Sequence, residues 1–330
     1  MRRSWCAAGL ALCVAFLLPV LVLAQPLKGK VARVGVLWGG DTPFAIGYLE
    51  AGRQALIDLG YVEHRDFVVE ARFGERKPGA ADVLAADLVQ RKMDVIIAAG
   101  DPAIRAARKA TAEIPIVMIA AGDLSKSGFV ASLSRPGFNV TGMTFLSPEL
   151  APKRLQLLRE AVPRATKIGV LWNPDNPGGR ADLEAAQAAA DTMHVALRFY
   201  EVRATSDFER VFKSMVEDQV HAVLVLTDPV MSAFAGKLVS EHALKYRLPL
   251  VCDLSEFTRS GALLSYGPSL RAMARRSAVF VDKILKGTRP GDIPIEQPQS
   301  FELTINQRTA AALGLTLPVS LLTRADDVIR

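Results

Sequence analysis

Small polar and acidic residues recur directly after short apolar stretches of this 330-residue chain. They are Asp41, Thr42, Gly100, Asp101, Asp123, Asn173, Thr227, Asp228 and Asp253. One interpretation is helix capping, which suits Asp101-Pro102 and Asp228-Pro229 because proline favours the first helical turn. The other is ligand binding, in which the carboxylates hold an amine and the helix N-termini behind them hold a carboxylate. A zwitterion such as an amino acid would fit the second interpretation, and both stay open.

Three aromatic residues stand at similar places and are further candidates for ligand contact. Trp38 and Trp172 end two equivalent apolar stretches, so they could flank a planar or apolar ligand from opposite sides. Tyr266 lies in the run Ser265-Tyr266-Gly267. The alternative is that each tryptophan packs beneath its own loop, as large aromatic side chains commonly do.

The motifs of nucleotide, metal and nucleophile chemistry are missing from the sequence. Residues 35–40 do not match G-x-G-x-x-G, Trp38 stands where a backbone would have to approach pyrophosphate, and no G-x-x-x-x-G-K-[ST] occurs. The histidines share no metal-ligand spacing, and no G-x-S-x-G elbow follows a strand. We therefore expect no catalytic residue, no metal and no cofactor, and we predict that the protein is not an enzyme.

The composition is that of a globular protein with more than one core. Half of the residues are apolar and 22% are charged, and the length exceeds what a single core usually organises. The formal charge is +6, but its lysines and arginines are spread along the chain without a dense cluster. This distribution argues against nucleic acid as a partner.

The N-terminus reads as a secretory signal. Arg2 and Arg3 precede an apolar run over 7–22, and Val22-Leu23-Ala24 places small or apolar residues before a cleavage site after Ala24. An uncleaved anchor is the alternative, although the run is short for a membrane span. Cleavage would leave Cys252 as the single cysteine and hence no internal disulfide. The expected product is a soluble protein exported to the periplasm, by the Sec or the twin-arginine route.

The chain contains two related halves. Three pairs of segments match in order at a nearly constant offset, 134 (167 − 33), 127 (228 − 101 at the Asp-Pro pairs) and again 134 (248 − 114). The pairs are 33–43 with 167–177, 94–102 with 221–229, and 114–117 with 248–251. Matches in order at such an offset indicate two similar lobes.

Alternating strands and helices must position the polar residues. Buried strands are predicted at 33–38, 94–99, 115–120, 167–172, 221–226 and 248–252, and helices after Pro43 to Gly60 and at 80–91, 102–110, 148–161, 179–193, 207–218 and 231–246. This order predicts an α/β fold with a parallel sheet in each of two Rossmann-like lobes. Parallel sheets bind ligands outside the carboxyl ends of their strands, so two facing lobes would surround one cleft.

These residues, together with several further runs, resemble the ABC transporter substrate-binding protein family whose best-understood members take tryptophan or tyrosine. The further runs are 133–142, 264–268, 281–287, 301–306 and 313–326. The resemblance covers the mature chain and implies a type I periplasmic binding protein, a clamshell with three hinge crossings. Many relatives carry a Ser/Pro-rich loop where this chain has Trp38-Gly39-Gly40, so the ligand does not carry over.

The resemblance also implies discontinuous lobes and membrane partners. We expect residues 31–141 plus 268–290 in lobe 1 and residues 142–267 plus 291–330 in lobe 2, with Gly142 and Gly267 at crossings. The expected function is the solute-binding component of an ABC importer, a monomer that closes on an amino acid or related zwitterion and is met by a permease and its ATPase. A ligand-sensing receptor subunit and an exported enzyme on the same scaffold are the alternatives. The ligand and the docking face stay open.

Overall fold

A computed structural model describes residues 30–38, 42–74, 79–120, 124, 128–145, 147–176, 179–298 and 300–330. The predicted signal peptide, 1–24, lies outside these ranges. So do the candidate ligand residues Asp41 and Asp123, and the side chain of Thr42. Along the described ranges no helix is both long and apolar enough to cross a membrane.

The first sheet has five parallel strands in the order β2-β1-β3-β4-β5. The strands are β1 Ala32–Trp38, β2 Phe67–Phe73, β3 Val95–Ala99, β4 Ile116–Ala120 and β5 Val140–Thr144, joined by α1 Thr42–Asp58, α2 Ala80–Gln90 and α3 Asp101–Ala110. The predicted strands and helices of this half are confirmed. β2 escaped prediction because Glu70 and Arg72 interrupt its apolar pattern at the half-buried edge of the sheet.

The second sheet has seven strands in the order β12-β11-β10-β9-β8-β6-β7. Its strands are β6 Lys167–Trp172, β7 Ala196–Glu201, β8 Ala222–Val225, β9 Leu250–Cys252, β10 Leu264–Pro268, β11 Phe301–Asn306 and β12 Asp327–Ile329. The helices that follow are α4 Ser147–Ala161, α5 Gly179–Met193, α6 Phe208–Glu217, α7 Pro229–Lys245, α8 Ser255–Arg259, α9 Leu270–Leu285, α10 Gln307–Ala312 and α11 Val319–Thr323. Two parallel-dominated sheets confirm the predicted α/β fold class.

One pair of strands in the second sheet is antiparallel. β10 pairs with β11 so that Pro268, the last residue of β10, lies opposite Phe301, the first residue of β11. The chain leaves the second sheet after β10 and re-enters it at the same edge, which makes β11 run in the opposite direction. The remaining strand pairs of this sheet are parallel.

The chain passes between the sheets at three places, between β5 and α4, between β10 and α9, and between Glu296 and β11. After the second passage α9 packs on the first sheet's helix α1, and Tyr61 Oη donates to Asp282 Oδ1 at 2.9 Å. The segment before the third passage lies along β5, where Glu296 N donates to Gly142 O at 2.9 Å. Both β5 beyond residue 141 and the segment 291–296 therefore pack on the first sheet, while the lobe boundaries themselves stay predictions.

Gly142 and Gly267, the residues expected at crossings, lie inside strands β5 and β10. A Cβ on Gly142, whose φ is +136°, would stand 2.0 Å from the main-chain oxygen of Met118 on β4. A Cβ on Gly267 would stand 2.1 Å from the main-chain oxygen of Asp253, which follows β9. Both positions require glycine because a neighbouring backbone comes too close for any side chain.

A surface cluster ties α6 to α7 and makes part of the stability depend on pH. Lys245 Nζ and Tyr246 Oη donate to the Glu209 carboxylate at 2.8 Å and 2.7 Å, and these bonds lower the pKa of Glu209 to about 2 from its usual 4.5. A carboxyl with a depressed pKa stabilises the fold above its unfolded pKa and loses that contribution as the pH falls through the folded value.

We therefore expect Glu209→Gln to lower the melting temperature above about pH 4.5, and the difference from wild type to vanish as the pH approaches 2. Thermal melts of both proteins between these pH values test this. Glu113→Gln, at an exposed carboxylate for which the described residues offer no ion pair, is the control. A difference that persists undiminished at pH 2 would contradict the assignment.

Candidate functional site

The polar residues predicted to bind ligand lie at the carboxyl ends of parallel strands. Asn173, Thr227 and Asp253 follow β6, β8 and β9 of the second sheet and are buried. In the first sheet Gly100 and Asp101 follow β3, and Asp101 is buried. The topology therefore groups these residues at the edge of each sheet where parallel α/β proteins hold their ligands.

Several of these polar groups already have local partners. Asp228 Oδ1 accepts a hydrogen bond from Met231 N at 3.3 Å, which is the capping role considered for this residue. Asn173 Oδ1 accepts from Asp175 N at 3.0 Å and forms a local turn. Asn176, which the sequence analysis did not single out, donates from Nδ2 to Thr227 O at 3.3 Å. These bonds hold the loops after β6 and β8 together.

Asp253 differs from its neighbours because its carboxylate has no donor. The side chain is 2% exposed, and neither Oδ1 nor Oδ2 has a hydrogen-bond partner among the described residues. No lysine, arginine or histidine of the described chain lies within ion-pair distance. Burying a carboxylate without donors costs free energy, so both oxygens could accept hydrogen bonds from a partner outside the described residues.

Arg154 is a functional candidate that sequence reasoning missed. It lies on α4, is 1% exposed, and is the largest side chain that the described fold buries completely. Its Nε donates to Tyr266 O at 2.8 Å and its Nη1 contacts Thr227 Oγ1 at 3.4 Å, so the guanidinium reaches the carboxyl ends of β10 and β8. A signal was present, because the spacing of 150, 151, 154, 155 and 158 places an arginine on the apolar stripe of its helix.

Tyr48 lies on α1, the helix that follows β1 of the first sheet, and it is influenced by charges of the second sheet. Its buried hydroxyl interacts with the charge of Glu256 on α8 and, more weakly, with that of Asp253. Burial first, and then these two negative charges, raise the pKa of Tyr48 well above its ordinary value. Charges at the carboxyl end of β9 and on α8 therefore act on a helix that packs on the first sheet.

The three predicted aromatic residues each contact their own layer. Trp38 stacks on Tyr48 with ring centroids 5.6 Å apart and an angle of 3°, and it lines an apolar cavity of about 40 Å³ between the first sheet, α1 and α9. Trp172 packs on the apolar core beside the second sheet, and its Nε1 is buried without an acceptor among the described residues. The Tyr266 ring lies 5.9 Å from that of Phe301. Their contact with a ligand stays a prediction.

We expect Trp38→Ala to lower the free energy of unfolding of the ligand-free protein by about 3 kcal/mol, because the ring fills space between β1 and Tyr48. Urea denaturation of the variant beside wild type measures this. Phe138→Ala removes an aromatic ring that is 69% exposed and should change stability little. A Trp38→Ala protein as stable as wild type would assign the ring to ligand contact alone.

The described residues offer no obvious centre for a metal ion. Within those ranges no three histidine, cysteine, aspartate or glutamate side chains come together as ligands. Cys252 is fully buried beside Asp253, and desolvation raises the pKa of its thiol. A thiol in that state is a poor nucleophile.

Comparisons with known proteins identify relatives of this chain. The family model described as "ABC transporter substrate binding protein" matches residues 49–329. A tyrosine-binding protein of Clostridioides difficile is 27% identical over 263 residues, which cover 79% of this chain and 75% of the relative.

Solved structures with a similar fold include two with nearly complete overlap. A conserved domain protein from Vibrio cholerae has a TM-score of 0.85 at 25% identity, and an ABC domain in complex with L-Trp from Streptococcus pneumoniae has 0.84 at 23%. Each overlap covers 91% of this chain and 100% of the other.

Proposed function

The chain belongs to the ABC transporter substrate-binding protein family, with the fold of a type I periplasmic binding protein, and we propose that it captures an aromatic amino acid. The observation that carries the proposal is the Asp253 carboxylate, buried without a donor at the carboxyl end of β9. An ammonium group supplies both the charge and the N–H donors that this carboxylate lacks. Two relatives, the tyrosine-binding protein and the domain in complex with L-Trp, support the same ligand class.

The three passages between the sheets support binding by closure. We propose that lobe 1 consists of residues 30–145 with 270–296 and lobe 2 of residues 147–268 with 301–330, which moves the junctions from 141 and 290 to the passages. Ligand contacts to both lobes would favour the closed arrangement. Contact between α1 and α7 supports this, because elements attached to the two sheets already meet there.

The proposed role is the delivery of the amino acid to an importer. The signal-like N-terminus supports export to the periplasm with cleavage after Ala24. A membrane permease and its ATPase would then recognise the closed, liganded monomer. The protein would bind and release its ligand unchanged, without catalysis.

Thermal stabilisation of the purified 25–330 chain tests the ligand class. Each of the standard L-amino acids is added at increasing concentration, and we expect tyrosine, tryptophan or phenylalanine to raise the melting temperature. At a concentration 100 times the Kd the stabilisation should reach about 2.7 kcal/mol. The D-enantiomers serve as controls, and titration calorimetry should give one site per chain.

Two results would contradict the proposal. One is the absence of any shift across the whole panel of amino acids. The other is a shift by aromatic compounds that carry no ammonium group with the same affinity as the amino acid, because Asp253 would then have no part in recognition. X-ray scattering with and without ligand tests closure, which predicts a smaller radius of gyration for the liganded protein.

A further inference from the structure

We propose that Arg154 and Asp253 are the two charged poles of the ligand site, with the guanidinium binding the α-carboxylate and Asp253 binding the α-ammonium. This inference rests on the proposed function, since it assigns groups of the same ligand to residues of the same site. It adds a residue, Arg154, that no motif marked. It also accounts for the positive charge of Arg154, which the fold buries.

Among the described residues, no carboxylate balances the charge of Arg154 at close range. A guanidinium has five N–H donors, and here the hydrogen bonds go from Nε to Tyr266 O and from Nη1 to Thr227 Oγ1. No carboxylate of a described side chain lies within 4 Å of it, although the side chain is 1% exposed. Burying an unpaired charge costs several kcal/mol, which a carboxylate ligand held by charge-assisted hydrogen bonds would offset.

Asp253 carries a negative charge and, like Arg154, is buried without an ion-pair partner among the described residues. Both of its carboxylate oxygens are buried, and neither has a donor among the described residues. Its charge also acts on Tyr48 of α1, a helix that packs on the first sheet. A ligand ammonium at this site would supply the donors that Asp253 lacks among the described residues.

The two charges are neighbours that do not pair with each other. Both charges act on the thiol of Cys252 at the end of β9, Asp253 raising its pKa and Arg154 lowering it. Both residues lie close to Gly267, since a Cβ there would be 2.1 Å from the main-chain oxygen of Asp253 and 3.5 Å from Arg154 Nη2. An α-amino acid carries its ammonium and carboxylate on the same carbon, which matches a neighbouring but unpaired pair of opposite charges.

Single-charge analogues test each pole separately. Calorimetry with L-tyrosine, tyramine and 3-(4-hydroxyphenyl)propionate compares wild type with Arg154→Met and Asp253→Asn. We expect each variant to bind L-tyrosine about 100-fold more weakly. Asp253→Asn should weaken tyramine equally but leave the propionate within about 3-fold, and Arg154→Met should do the reverse. The tryptophan series, with tryptamine and indole-3-propionate, applies if tryptophan binds more tightly.

Matched variants separate charge recognition from packing. Arg159→Met changes another arginine of α4, which donates to Met193 O, and Asp218→Asn changes a carboxylate held by Tyr200 and Arg198. Both should bind L-tyrosine like wild type. Ligand-free Arg154→Met should melt at or above the wild-type temperature, because removing an unpaired buried charge relieves its desolvation cost.

Each remaining outcome decides the proposal. A variant that keeps wild-type affinity for L-tyrosine overturns the role of its residue. Equal losses for all three compounds, or a ligand-free Arg154→Met that melts well below wild type, would make the residue a packing element and overturn the assignment. A wild type that binds no amino acid would refute the proposed function instead, which the first titration distinguishes from failure of the poles alone.

Discussion

Gly142→Ala is expected to lower the free energy of unfolding by about 4 kcal/mol, enough to leave little folded protein at moderate temperature. Gly142 lies in β5 with a φ of +136°, a conformation that side chains rarely adopt. The new Cβ would stand 2.0 Å from Met118 O and 2.6 Å from Met118 N on β4. Neither atom can move without breaking the β4–β5 pairing, which has Met118 opposite Gly142.

Urea denaturation of the ligand-free protein measures the loss. Gly47→Ala is the matched control, because Gly47 is exposed on α1 and a Cβ there would meet nothing within 4 Å. Alanine at that position should raise stability by about 0.5–1 kcal/mol through helix propensity. A Gly142→Ala protein within about 1 kcal/mol of wild type by this measurement would mean that β5 does not approach β4 as closely as described.

Gly267→Ala is expected to cost about 3 kcal/mol and, in addition, to weaken ligand binding by at least about 10-fold. Its Cβ would stand 2.1 Å from Asp253 O, so the end of β9 must shift to make room. That shift would move the Asp253 carboxylate, while the same Cβ would only touch Arg154 Nη2 at an ordinary van der Waals distance of 3.5 Å. Stability and ligand affinity should therefore fall together.

The control for this prediction lies in the same half of the molecule. A Cβ on Gly236 of α7 would meet Phe257 at 3.8 Å, an ordinary van der Waals distance, so Gly236→Ala should change neither quantity greatly. Melting curves without ligand and calorimetry with the amino acid separate the two effects. Normal affinity in a destabilised Gly267→Ala protein would show that the ligand does not depend on the geometry around Asp253.

The organisation of the fold was predictable because the hydrophobic pattern of the sequence marks its strands and helices. Apolar runs that become β1, β3, β4, β6, β8 and β9 are continuous since both of their faces are buried, and the helices between them follow from spacing and from glycine and proline stops. Strands such as β2 and β7 escaped because they are half-exposed edge strands with charged residues in their patterns. The edge position of a strand depends on the order of strands in space.

The candidate site was predictable only in its location. Parallel strands place their carboxyl ends along one edge, so the order of strands along the chain is enough to predict Asn173, Thr227 and Asp253 there. Which of them has spare hydrogen-bonding capacity was not predictable. Asp228 and Asp253 look alike in the sequence, yet Asp228 caps a helix while Asp253 has no donor in the described fold.

The sequence by itself determined the α/β class, the two related halves and the edges where ligand groups gather, because periodicity and repetition are local properties of the chain. Only the tertiary structure decided that Arg154 reaches Tyr266, 112 residues away, and Thr227, 73 residues away, without meeting a carboxylate among the described side chains. It also decided that neighbouring backbone atoms leave no room for a side chain at Gly142 and Gly267. Such relations depend on the distance between packed strands and helices, which no pattern within a single segment contains.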